Sequence, residues 1–181
     1  VNTVGSLGRD AIWRRRAVAA AEPGVGDVVL DIGCGTGDML RGFAAAQPAL
    51  RRVIGVDFAA QMLRHTRLEA SDRVADDDRR GSFPAGHPTS ERRCRAEDED
   101  CGSPLPVPCS LLRADALRLP LADATVDIIS CAFAVRNFAD VQAGLSEMAR
   151  VARPGARVVI LEFATPESFI WRRLHQFYCD V

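Results

Sequence analysis

The stretch from Val28 to Met39, VVLDIGCGTGDM, limits the possible folds more than any other part of this chain. It opens as a continuous apolar run too short for a confident helix, which suits a strand buried on both faces of a parallel sheet. Gly33, Gly35 and Gly37 then alternate with Cys34 and Thr36. Residues without a Cβ can take positive φ and let a ligand approach the backbone closely. From Asp38 the sequence favours a helix, so the loop is expected to present free N–H groups to whatever sits there.

A glycine loop alone is weak evidence. A second apolar run, Arg52 to Val56, ends in Asp57, twenty residues past Gly37. An acid at the tip of the next strand is placed to accept both hydroxyls of a ribose. A ligand-free βαβ turn is the plainer alternative, but such a turn needs one glycine and has no use for Asp57. The dinucleotide fingerprint is G-x-G-x-x-G, and its helix receives a pyrophosphate. Here the spacing is G-x-G-x-G, and Asp31 stands two residues before the first glycine. That carboxylate would repel a pyrophosphate and suit a cationic amine or sulfonium. The loop resembles motif I of the class I S-adenosylmethionine-dependent methyltransferases, with NAD binding as the rival reading.

At 181 residues with net charge −1, the chain has the size of one domain, and nothing in its total charge favours nucleic acid. No apolar run approaches a membrane span and no secretory signal is visible, so the expected compartment is the cytoplasm. The six cysteines lack C-x-x-C pairs. Cys34 and Cys131 read as small buried residues. Cys94, Cys101, Cys109 and His87 fit no zinc spacing, so no metal is expected.

Asp10 can cap a helix from Ala11 to about Ala21, with Arg14, Arg15 and Arg16 expected on a solvated face rather than in a phosphate- or membrane-binding patch. Helices are expected over Asp38–Ala46, Ala60–Ala70 and Val141–Ala152, the last capped by Asp140 with Val141, Leu145, Met148 and Ala152 on its apolar face. Met62 serves equally well as core or as a surface for an adenine ring. Further strands are expected at Ser110–Arg113, Val126–Phe133 and Arg157–Phe163, the last after a Pro154-Gly155 turn. Residues 71–108 alternate charge runs with Gly, Pro and Ser, and are expected to be a disordered insertion in a single domain spanning 1–181. The alternation implies an α/β, doubly wound, mostly parallel sheet with its site at the strands' carboxyl ends. Asp115, just past a strand end, is placed to accept the exocyclic amine of adenine.

The later half narrows the resemblance. Phe133-Ala134-Val135-Arg136-Asn137, Met148 to Gly155, and Leu161-Glu162-Phe163 followed by Pro166 resemble the ubiquinone/menaquinone biosynthesis C-methyltransferases, as do Leu119-Pro120 and Arg9 to Val18. The resemblance implies a Rossmann-like fold and S-adenosylmethionine as cofactor. Asp31, Gly33, Gly35, Thr36, Gly37, Asp57, Met62, Asp115, Ala116 and Ala132 are its expected contacts. Ala132 stands where relatives often carry a serine. The implied reaction moves a methyl group to a ring carbon of a lipophilic polyprenyl quinol. Arg136 would stabilise the phenolate or orient a water, and Asn137 would hold a ring oxygen. The rival reading of Arg136 is a plain ion pair. The resemblance admits peripheral membrane contact and a homodimer. Relatives continue beyond the His175–Val181 motif with further strands, so the chain is expected to be fragment-like, with an exposed edge at its last strand. Another small-molecule acceptor, or a cofactor-binding remnant without turnover, are the competing readings.

Overall fold

The computed structural model describes residues 10–66, 91–92 and 107–163. In chain order the elements are α1 (Asp10–Ala20), β1 (Val28–Ile32), α2 (Asp38–Ala46), β2 (Arg52–Asp57), α3 (Ala60–Arg64), β3 (Glu91–Arg92), β4 (Cys109–Arg113), β5 (Val126–Ala132), a 3-10 turn (Val135–Asn137), α4 (Val141–Val151) and β6 (Ala152–Leu161). The strands form one sheet in the order β3-β4-β2-β1-β5-β6. Every pairing is parallel except β3 with β4.

The sheet is held by apolar packing on both faces. All five residues of β1 are buried. Val29 faces a cluster with Leu40 and Phe43 of α2, and Leu30 and Ile32 face another with Ile129 and Met148. Each such side chain is worth roughly 1.5–3 kcal/mol when fully buried. Pro48 follows the end of α2 within two residues and cannot continue it. Asp140 caps α4 by accepting from Ala143 N–H at 3.0 Å, which typically contributes about 1 kcal/mol. Met148 is buried in the core and Leu145 and Ala152 pack against it as expected, joined by Gly144 and Val151, whereas Val141 is exposed.

Three other expectations change. The helix from Ala60 stops at Arg64, because the Thr66 hydroxyl turns inward, 2.7 Å from Gly35 O and 3.0 Å from Met62 O. Residues 67–70 of the expected helix lie outside the described residues. Within the expected disordered stretch, Glu91 and Arg92 pair antiparallel with Leu112 and Leu111, and Val107 is buried in the core. The remainder of that stretch, with His87, Cys94 and Cys101, lies outside the described residues. Finally, β6 begins directly after α4. Its register jumps from Val126↔Ala152 to Ile128↔Arg157, so the expected Pro154-Gly155 turn survives as a bulge and regular pairing starts at Arg157. Among the described strands β6 is an edge, with Val158 and Ile160 exposed. The Pro166 and His175–Val181 motifs lie outside the described residues.

Candidate functional site

The carboxyl ends of β4, β2, β1 and β5 surround a cavity of about 600 Å³. Gly33, Cys34, Gly35 and Thr36 line it from the β1 loop, and Asp57, Phe58 and Met62 from the β2 end. Asp115 and Ala116 close the β4 side, while Ala132, Phe133 and Asn137 close the β5 side. Strand order therefore brings together residues about a hundred positions apart.

The loop is shaped for close approach. Gly33 has φ +70°, and a Cβ there would sit 2.4 Å from Ala134 Cβ. No other residue fits both conditions. The expectation of free loop N–H groups is not met at four positions. Gly33 and Cys34 donate to Val56 O at 2.7 and 3.0 Å, Gly35 to Asp57 Oδ2 at 2.8 Å, and Gly37 to Cys34 O at 2.9 Å. Positive φ turns these donors back onto β2 and the loop itself, so the loop offers a ligand room more than donors. Gly37 caps α2 and does not line the cavity.

Asp57 carries a second bond, from Ala59 N–H to Oδ1 at 2.9 Å. A carboxylate has about four acceptor sites, so two remain for a pair of hydroxyls. Asp115 accepts from Leu117 N–H through Oδ1 at 2.9 Å, which fixes its side chain at the turn. Met62 is part-exposed over the cavity rather than in the core.

Asp31 is placed differently from expectation. It is buried inside the sheet, off the cavity wall, and accepts from the Ser130 hydroxyl at 2.6 Å. Loss of hydration on burial pushes its carboxyl up to about 7, against the lowering effects of Ser130 and Arg14. The same burial pushes the Cys131 thiol up to about 12 and raises that of Cys34, so neither is a nucleophile at neutral pH.

On the β5 side, Phe133 takes φ +58° and lines the cavity. It stacks on Phe163 at 4.7 Å, with Trp13 edge-on to Phe163 at 5.8 Å. Arg136 lies over Phe163 at 5.4 Å and is paired with Glu162, outside the cavity wall. Asn137, its neighbour, does line the cavity. The sequence reading missed Arg14, Phe58 and the Trp13–Phe133–Phe163 cluster. Arg14 was expected in solvent but lines the cavity and lies over Phe133 at 5.6 Å. The three-arginine run carried no signal distinguishing it from Arg15 and Arg16.

Fold and site together define a doubly wound α/β protein with an acid-lined cavity at its strand ends. The chain belongs to the methyltransferase domain family, whose model matches residues 30–160. The resemblance read from the sequence holds. The chain is 32% identical over 180 residues to the demethylmenaquinone methyltransferase of Porphyromonas gingivalis, covering 99% of this chain and 61% of that one. It is 37% identical over 178 residues to the ubiquinone/menaquinone biosynthesis C-methyltransferase UbiE of Geobacter sulfurreducens, covering 98% and 58%. This chain thus spans about three fifths of the length of those relatives. A SAM-dependent methyltransferase from Aquifex aeolicus shares the fold at TM-score 0.60 and 19% identity, over 93% of this chain and 73% of that one.

Proposed function

We propose that this chain binds S-adenosylmethionine and directs its methyl group to a ring carbon of a lipophilic quinol, a demethylmenaquinol or a ubiquinol precursor. The observation that carries the reading is the cavity. Its lining holds three carboxylates (Asp38, Asp57 and Asp115) around a loop that admits no side chain at Gly33. Such a lining fits a cationic ligand with a ribose and rejects a pyrophosphate, which argues against the dinucleotide alternative. Asp57 holds the ribose, Asp115 and Ala116 face the adenine, and Met62 and Phe58 cover the adenosine from the solvent side.

When bound, the cofactor supplies an electrophilic methyl on a sulfonium. This chain's own residues position the acceptor and manage its charge. Asn137, on the cavity wall, orients a ring oxygen of the quinol. Arg136, held by Glu162 just outside that wall, would orient a water that takes the hydroxyl proton; the phenolate raises electron density at the neighbouring carbon, and the ring proton displaced by the methyl passes to solvent. The cluster of Phe133, Phe163 and Trp13 supplies a planar apolar surface for such a ring. Among the described residues no helix is long and apolar enough to cross a membrane.

The test is radiolabelled methyl transfer from S-adenosylmethionine to a panel of demethylmenaquinol, ubiquinol precursors, a sterol and a phospholipid amine. Label on the quinols supports the reading. Label only on the sterol or amine replaces the acceptor, and binding without transfer to any of them leaves a cofactor-binding protein.

A further inference from the structure

Arg14 has no part in the function proposed above, yet it faces the same cavity. Its side chain is 18% exposed, and it approaches Asp10 only to 3.9 Å through Nε and Asp38 only to 3.6 Å through Nη1. Both separations exceed hydrogen-bond reach, and Nε is buried without a hydrogen-bond partner. A buried donor left unmade is costly, which marks a position waiting for an acceptor. Among the described residues lining the cavity, Arg14 is the one cation, set against Asp38, Asp57 and Asp115.

The sheet fixes where along the cavity this cation lies. Asp115 and Asp57 follow β4 and β2, whereas Arg14 rests on Phe133 at the end of β5. With β1 between, three strand spacings separate the two ends, about 14 Å. An extended adenosyl amino acid is of that length. With its adenosine at Asp57 and Asp115, its amino-acid end reaches Arg14. Two of the charges on that ligand, sulfonium and ammonium, suit the acidic lining. The third, a carboxylate, would be repelled by every charged group on the wall except Arg14.

We infer that Arg14 receives the α-carboxylate of the cofactor's amino-acid end. The inference rests on the cofactor reading above. A guanidinium whose Nε–H has no partner offers the planar, two-pronged donor set that a carboxylate accepts. Asp10 and Asp38 hold the group in place without using that donor.

The experiment compares two probes by calorimetric titration: S-adenosylmethionine and its decarboxylated analogue, which keeps the sulfonium and the amine. Arg14→Gln should weaken S-adenosylmethionine by about tenfold or more and leave the analogue nearly unaffected. Arg14→Lys should show a smaller loss with the same dependence on the carboxylate, and it serves alone if the glutamine variant does not fold. Asp57→Ala, as a control, should weaken both probes alike. Equal losses for both probes in the Arg14 variants, or no loss for either, would overturn the assignment. A wild-type chain that binds neither probe would instead overturn the cofactor reading, and the assignment with it.

Discussion

Asp31 makes the folded chain sensitive to pH in a way that can be worked out beforehand. Its carboxyl is displaced from 3.8 to about 7, chiefly by burial, while Ser130 and Arg14 lower it and Asp57 and Asp38 raise it. The folded chain therefore holds this proton more tightly than the unfolded chain does. The stability it contributes is fully present below about pH 4 and is lost as pH rises through about 7. At ~1.4 kcal/mol per pH unit the full effect is of order 4 kcal/mol, more than half of which falls between pH 5 and pH 8. Asp31→Asn has nearly the same shape, can still accept from Ser130, and does not titrate. Its stability relative to wild type should rise by about 2–3 kcal/mol from pH 5 to pH 8, then level off. Urea unfolding of both proteins at several pH values measures the difference, and subtraction removes every other titrating group. A wild-type–variant gap that stays constant over this range would refute the reasoning, since the carboxyl would then ionise at the same pH folded and unfolded.

Asp57→Ala should cost at least roughly 1.5 kcal/mol of S-adenosylmethionine binding, because it removes the ribose acceptor and also releases Gly35 N–H; unchanged affinity in a titration of the folded variant would place the ribose elsewhere. Gly55→Ala should destabilise the fold by about 1–3 kcal/mol. The new Cβ would lie 2.7 Å from Leu40 Cδ1, 2.8 Å from Leu111 Cδ2 and 2.9 Å from Cys34 Sγ. A shift in the urea midpoint reads that loss, and an unmoved midpoint would mean these side chains repack freely.

The elements readable from sequence were those whose pattern is set by burial on both faces or by a local cap. The bounds of α2 and β2 match expectation to the residue, since Pro48 and the apolar run of β2 leave little choice. The cap of α4 by Asp140 was legible for the same local reason. What escaped depends on distant partners. Thr66 ends α3 through a bond to Gly35, thirty-one residues away, and nothing near Thr66 announces it. Asp31 was legible as an unusual carboxylate, but its turn toward Ser130 is decided by the pairing of β1 with β5. Arg14 differs from Arg15 and Arg16 only through the packing of α1 on the sheet.

The neighbours β2 and β4 meet in the sheet with about fifty residues of chain between them, from Phe58 to Pro108. Closing a loop costs entropy that grows only with the logarithm of its length, about 0.6 kcal/mol for each doubling. A connection four times the length of a short crossover is thus disfavoured by little more than 1 kcal/mol, less than one buried leucine contributes. The sheet can carry this long excursion between the strands that bear Asp57 and Asp115 without loosening either. A single added carbon at Gly55, on the strand that leads into this span, meets side chains within 3 Å and should cost more than a doubling of the connection's length.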